Sequence, residues 1–366
     1  MTAVDPDAAG TFPHPADAEA AASPDMPAGT VDAFREPTEQ LLELSLGYLY
    51  SAALHTAARY DIAYLLADGP RTPAELARAA GVDGPQLYRV LRFLATKGVF
   101  REDETGRFHL TPLAEPLRSD AERSLRDYVL VRGEEVFWHS AARLHEAVRT
   151  GRTAFEGLYG VPFYDYVAAD PDLAAAFNAS MAAFSGTLTN DVAAACDLDG
   201  AKSAVDVGGG RGGLLRALLR RHPQLTGTLF DLESVVSAHV LDTPELTGRW
   251  RAEAGDFFTS VPPGADVYLL KHVLASWPDE ECVRILRSCR RAMPGHGRLL
   301  VINALVPPGN EPHPGKTIDM VMMTVLNGKS RTRAQYEALL AQAGFAVTGV
   351  VEASPHASVV EAAVRH

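Results

Sequence analysis

Cysteine is nearly absent from this chain. Only Cys196, Cys282 and Cys289 occur in 366 residues, and no two of them form a C-x-x-C pair. They do not make a disulfide framework, and they fit a reducing cytoplasm. Cys282 and Cys289 lie seven apart on an expected helix, share one face, and read as small buried residues. Positive charge is also short: 34 Lys and Arg stand against 46 Asp and Glu, for a net charge of −12. That balance argues against a general nucleic-acid or anionic-membrane surface. No apolar run reaches the roughly 18 residues needed to cross a bilayer. The N-terminus lacks the basic and apolar regions of a signal peptide. No metal is expected. A cytoplasmic chain of two domains, long enough to bury a sizeable core, is the reading these absences leave.

Glycine, by contrast, is concentrated. Ser203 to Val207 is a short apolar run that ends in Gly208-Gly209-Gly210-Arg211-Gly212-Gly213, and Leu214 to Arg221 then reads as a helix. Strand, tight turn and helix start together form a place where a ligand approaches backbone and meets unpaired N–H groups. Gly208-x-Gly210-x-x-Gly213 fits a dinucleotide fingerprint, although glycine-rich turns also form for structural reasons alone. A second strand, Thr226 to Phe230, ends at Asp231, an acid placed to accept from ribose hydroxyls. Asp256 and Phe257 follow a third strand, a carboxylate for an exocyclic amine beside a ring for a base's face. A fourth strand, Ala265 to Leu270, ends at Lys271. Four strand ends on one edge of a parallel sheet carry residues of this kind, and such sheets bind ligands at that edge. A nucleoside cofactor is the expectation.

Residues 1 to 35, rich in Ala, Pro and Asp, are expected to be a disordered tail. A single helix is expected from Pro37 to about Ala67, with Leu41, Leu44, Leu49 and Leu54 on a wide apolar face that wants a partner. Thr72, Pro73 and Glu75 spell a capping box. A further helix, Pro85 to Lys97, and a hairpin over 99–101 and 107–110 complete a winged-helix pattern. Read as a DNA reader, it would turn Arg89, Arg92 and Lys97 to phosphates; the acidic balance favours a scaffold or dimerisation module. Residues 112 to 195 read as helical, with an aromatic cluster from which a subset can wall a pocket for a flat substrate. From 200 onward strand and helix alternate (strands 203–207, 225–230, 250–254, 265–270 and 297–304, and a helix from Asp279 to Met293). A last antiparallel pair, 346–353 and 357–363, gives an α/β, mostly parallel sheet with an antiparallel edge. The expected boundaries are 36–125 for the N-terminal domain, 126–195 for a helical substrate-pocket region and 196–366 for the Rossmann-like domain.

With these words in view, the chain resembles the class I S-adenosylmethionine-dependent O-methyltransferases that act on plant phenolics and bacterial aromatic natural products. The matching stretches are Asp206 to Gly210, Phe230-Asp231-Leu232, Gly255 to Phe258, Leu270-Lys271 to Trp277-Pro278-Asp279-Glu280, Gly328 to Thr332, and Phe177 to Met181. The resemblance implies a winged-helix dimerisation domain before a Rossmann-like domain, a homodimer, a small-molecule substrate and S-adenosyl-L-methionine as cofactor, with no nucleic acid or membrane. It implies that Gly208 and Gly210 lie against the methionine part, that Asp231 holds the ribose, that Asp256 and Phe257 contact adenine, and that Lys271 sits near the ribose or carboxylate edge. Phe177, Met181, Trp277 and Met322 would border the substrate and the methyl.

The sequence departs from the family at its base. The family's catalytic histidine falls on Ala275 and the following aspartate on Ser276; the two orienting glutamates fall on Asn303 and Ser330. His272, three residues before Ala275, is a candidate substitute base, with packing beside the cofactor as its plainer role. Methyl transfer that relies on proximity and orientation is the first expectation. Non-methylating chemistry beside a bound cofactor, such as hydroxylation, decarboxylation or a pericyclic reaction, is the alternative. A DNA-binding regulator and an NAD-dependent oxidoreductase stand further off.

Overall fold

The structure, a computed structural model, describes residues 30–365, with side chains from residue 37. The chain divides into two compact units between Leu49 and Tyr50. Among the described residues the first carries the helix Thr30–Ser45, with Pro37 inside it. Most of the expected tail, residues 1–29, lies outside the described residues. Its last six residues are helical instead, in a stretch that holds neither glycine nor proline before Pro37.

The single helix expected from Pro37 to Ala67 is three: Thr30–Ser45, Tyr48–Arg59 and Ile62–Leu65. The first break falls at Leu46-Gly47, where the backbone tightens to three-residue hydrogen bonds. The second falls at Asp61, whose φ of 51° leaves the right-handed helix. Of the apolar face read from the sequence, Leu41, Leu44 and Leu49 are exposed and Leu54 is half-buried, while Ala53, Ala57 and Ala58 are buried; apolar periodicity does not register breaks of this kind. Thr72 and Glu75 form the expected reciprocal cap ahead of the helix Pro73–Ala80, which ends on Gly81 at φ 69°. The next helix, Gly84–Ala95, leads to a two-stranded antiparallel hairpin of β1 (Phe100–Glu102) and β2 (Phe108–Leu110). Leu76, Leu87, Leu91, Leu94, Phe100 and Phe108 close a small core there.

Seven further strands make the main sheet: β3 (Ser203–Val207), β4 (Thr226–Asp231), β5 (Trp250–Ala254), β6 (Val267–Lys271), β7 (Arg298–Asn303), β8 (Phe345–Ser354) and β9 (Ala357–Val364). Their order is β5-β4-β3-β6-β7-β9-β8. The ladders from β5 to β7 are parallel, and β9 pairs antiparallel with both β7 and β8. The sheet thus ends in the antiparallel pair expected from the sequence, with β9 in the inner position and β8 at the edge. Ala357–Val364 is the more continuously apolar of the last two strands and takes the buried slot, leaving half-exposed β8 outside.

Alternation along the strands splits two cores. Val205, Val207, Tyr268, Leu270, Leu299 and Val301 face one way, toward the helices Asp279–Ala292 and Arg333–Gln342. Ala204, Val267, Leu269, Leu300 and Ile302 face the other, toward the helix Gly213–Arg221 and the end of Pro171–Ala195. Cys282 and Cys289 are buried, as is Cys196. The strand order reverses at β3, between β4 and β6, so the carboxyl ends of β3 and β6 flank a switch point.

Candidate active site

The glycine turn opens at that switch point. Gly208, Gly210 and Gly212 take φ of 65°, 60° and 83°, which only glycine adopts freely. Gly209 is required for another reason: a Cβ there would meet the Asp206 carboxylate and the Leu229 side chain at 2.6 and 2.7 Å. At Gly208 a Cβ would lie 2.7 Å from Val273 and 3.5 Å from the Phe257 ring. The turn is thus pressed down on a carboxylate and sideways toward an aromatic ring; the Gly208 and Gly209 N–H groups both donate to the Phe230 carbonyl, and that of Gly212 donates to the Gly209 carbonyl.

Asp231, at the end of β4, braces the turn. One oxygen accepts from the Gly210 N–H at 2.8 Å, and the other from the Leu232 N–H at 2.7 Å. Burial raises its pKa, and those two hydrogen bonds pull it back. Each oxygen keeps a lone pair for a further donor. Asp256 closes its own turn, accepting from the Phe258 N–H at 2.8 Å. Phe257 meets Phe258 and Trp277 edge-on, with ring centroids 4.9 and 6.1 Å apart.

Beneath the turn lies a buried pair. Asp206 is 1% exposed, and neither carboxylate oxygen has a hydrogen-bond partner. Burial pushes its pKa up to about 7, opposed by the Lys271 charge and reinforced by that of Asp231. The Lys271 ammonium, at the end of β6, donates to the Ser185 hydroxyl at 2.7 Å and the Ser185 carbonyl at 3.1 Å. Burial lowers its pKa to about 8 against the pull of Asp206 and Cys196.

Past Lys271, His272 takes φ 58°. Its ring packs against Phe184 at 5.8 Å, and its Nε2 is buried without a partner. Burial, then the charges of Lys271 and His356, push its pKa down to about 3. An imidazole so placed is neutral at physiological pH and holds a proton poorly, so the structure weighs against the substitute base expected from sequence. Ala275 and Ser276 follow in a short 3-10 turn, Leu274–Ser276. Ser276 accepts a hydrogen bond from the Tyr164 hydroxyl at 3.1 Å, and Tyr164 stacks on Trp277 at 5.8 Å. Asn303, at the end of β7, is buried with both side-chain polar atoms unpartnered, and the Ser330 N–H donates to Asp319 at 2.6 Å.

Arg331 fixes this turn. Its side chain is fully buried and forks onto one Asp279 oxygen at 2.8 and 3.0 Å, with further bonds to the carbonyls of Leu274 and Trp277 at 2.7 Å each. Lys329 holds the other Asp279 oxygen at 2.7 Å. Gly328 leaves no room for a side chain, since a Cβ would come within 2.0 Å of the Ala275 carbonyl oxygen. The segment Gly328–Thr332 is therefore the clamp that sets the position of Ala275, Ser276 and Trp277.

All eleven residues singled out from sequence (Gly208, Gly210, Asp231, Asp256, Phe257, Lys271, His272, Phe177, Met181, Trp277 and Met322) line one cavity of about 1280 Å³. Phe177 and Met181 share a face of Pro171–Ala195, and Met322 comes from the helix Pro314–Val325. Sequence reasoning placed Tyr164 only within the aromatic cluster and gave no role to Asp206, Ser185, Arg331 or Arg132. Asp206 alone carried a signal, a lone carboxylate inside an apolar strand.

The orphaned carboxylate, the spare lone pairs of Asp231 and the Phe257 ring beside Asp256 suit a ligand carrying an ammonium, a ribose and a base. Among the described residues no cluster of His, Cys, Asp and Glu could hold a metal, and no helix is long and apolar enough to cross a membrane.

Comparison with known proteins gives this geometry its context. A family model described as the O-methyltransferase domain matches residues 141–346, and one described as the O-methyltransferase dimerisation domain matches residues 42–120. The phenazine O-methyltransferase PhzM of Lysobacter antibioticus is 40% identical over 324 residues, covering 88% of this chain and 95% of the relative. The solved structure of CalO1, a methyltransferase in calicheamicin biosynthesis in its SAH-bound form, is 41% identical with a TM-score of 0.82, covering 93% of this chain and all of that one. The O-methyltransferase NcsB1 from neocarzinostatin biosynthesis, solved with S-adenosylmethionine and 2-hydroxy-5-methyl naphthoic acid, is 36% identical with a TM-score of 0.73, covering 86% of this chain and 95% of the other.

Proposed function

We propose, from the premise that this chain belongs to the O-methyltransferase family and is an S-adenosylmethionine-dependent methyltransferase of class I fold, that it methylates a flat aromatic natural product by positioning rather than through a protein base. The observation that carries the second half is the chemistry around Trp277. Ala275, Asn303 and Ser330 hold no ionisable side chain, and the one imidazole lining the cavity, His272, is buried to a pKa near 3.

The cofactor supplies one thing when bound, an electrophilic methyl on a sulfonium. The residues do the rest. Asp206 offers a buried counter-charge for the methionine ammonium, held in place by the nearby Lys271. Asp231 accepts from the ribose hydroxyls, and Asp256 with Phe257 receives the adenine. Phe177, Met181, Trp277 and Met322 hold the acceptor's ring, with Tyr164 stacked behind Trp277. The acceptor's proton leaves to water, which suits an acidic phenol or another group already nucleophilic. Orientation of this kind contributes up to about 7–11 kcal/mol to a bimolecular step. His272 fills the wall beside Phe184 and takes no proton.

Residues 36–125 act as the dimerisation domain of a cytoplasmic homodimer, 126–195 as the helical pocket region and 196–366 as the cofactor domain. The relatives' aromatic substrates and the aromatic walls of the cavity both support the substrate class. The test is incubation with S-adenosylmethionine and hydroxylated aromatic acids, naphthols and phenazines, read by mass spectrometry. A product heavier by one methylene, with S-adenosylhomocysteine formed in equal amount, is expected. Substrate consumed with the cofactor intact would overturn the reading.

A further inference from the structure

One wall of the cavity holds a cation that makes no ion pair among the described residues. Arg132 is the last residue of the helix Arg126–Arg132 and lines the cavity with Tyr128, Phe137 and Tyr164. Its guanidinium carbon lies 5.0 Å from the centroid of the Tyr128 ring and 4.8 Å from that of Phe137. Among the described residues it makes no ion pair and no hydrogen bond, and its Nε is buried without a partner.

A buried guanidinium nitrogen is ordinarily hydrogen-bonded, because a polar group taken out of water without a partner is costly. The two flanking rings offset part of that cost and no more. A helix C-terminus favours a cation, but a solvated one serves equally well. The acids at the cofactor end are otherwise engaged: Asp231 with the amides of Gly210 and Leu232, Asp256 with its own turn, Asp206 beneath the glycines; Glu122 and Asp165, exposed on the same lining, make no ion pair with Arg132. The Phe137 ring beneath it meets Phe163 with centroids 5.8 Å apart, and Phe163 meets Phe177 at 5.2 Å. Arg132 therefore faces the part of the cavity where the acceptor's ring would sit, not the cofactor end.

We propose that Arg132 selects an acceptor that carries a carboxylate, so that the substrate class is a hydroxylated aromatic carboxylic acid whose anion pairs with the guanidinium. A planar fork held between two rings matches a carboxylate on a flat ring. This rests on the reading of the cavity's aromatic end as the acceptor's site.

The test is equilibrium binding to the full chain saturated with S-adenosylhomocysteine. The probes are hydroxybenzoic, hydroxynaphthoic and hydroxyphenazine carboxylic acids, each beside its twin lacking the carboxyl group. At least one acid is expected to bind about 10- to 100-fold more tightly than its twin. In Arg132→Met that ratio falls to about one, and in Arg132→Lys, which keeps the charge and loses the fork, it lies between. If no acid binds more tightly than its twin, or if the preference survives Arg132→Met, the proposal is overturned. S-adenosylhomocysteine binding and melting temperature, measured on each variant, show whether the fold is intact. Methyl transfer is scored separately: an acid that binds through Arg132 but is never methylated overturns the proposed function and leaves this assignment standing.

Discussion

Replacing Asp206 with Asn separates what its carboxylate does for the cofactor from what it does to the fold. The group is buried, its oxygens are unpartnered, and its pKa stands near 7 against an ordinary 3.8. Between those pH values the unfolded chain has released a proton that the native protein still holds. Native stability therefore falls as pH rises from about 4 to about 7, then levels off. The full difference is worth about 4 kcal/mol. Asn has the same shape without the charge. Ligand-free Asp206→Asn is expected to exceed the parent by about 2–4 kcal/mol at pH 8, below the full value because Lys271 loses the favourable charge of Asp206, and by about half as much at pH 5.5. With S-adenosylhomocysteine the order narrows or reverses, since the variant binds ligand more weakly and gains less from it. Urea titrations at both pH values, with and without ligand, measure all four quantities. A variant that is less stable than the parent at pH 8 without ligand would refute the reasoning, as would a gain that does not grow with pH.

Other substitutions probe the remaining parts of the site. Asp231→Ala removes the brace of the Gly210 amide and the acceptor for the ribose; calorimetry is expected to show S-adenosylhomocysteine binding weakened about 10- to 100-fold, and unchanged binding would cancel the ribose assignment. Arg331→Met leaves Asp279 and the carbonyls of Leu274 and Trp277 without their partner, for a loss of about 3–5 kcal/mol in denaturant unfolding. A smaller loss, with turnover intact, would show that the Trp277 turn holds its position without the clamp.

Much of this architecture was legible because local chemistry and tertiary role coincide. The glycine turn, Asp231 and the Asp256–Phe257 pair sit at the ends of β3, β4 and β5, and the alternation of strand and helix placed those ends on one edge. The cap at Thr72 and Glu75 is a purely local device, and it formed as read. What could not be read depends on distant partners. The Arg331 clamp joins residues 52 positions apart. The buried slot of β9 was decided by competition with β8 for the same neighbour. The break at Asp61 is a single left-handed residue in an otherwise helical pattern. Arg132 looks like any surface arginine at a helix end until Tyr128 and Phe137 are seen to enclose it. His272 was a plausible base by spacing; only its burial reveals the depressed pKa.

The most direct test of transfer without a protein base is kcat/KM against pH for two acceptors of different phenol acidity, on the parent and on His272→Ala. The account predicts an inflexion that moves with the acceptor's own pKa and is the same in both proteins. An inflexion fixed between pH 6 and 7 for both acceptors, and lost in His272→Ala, would contradict it and restore the imidazole as the base.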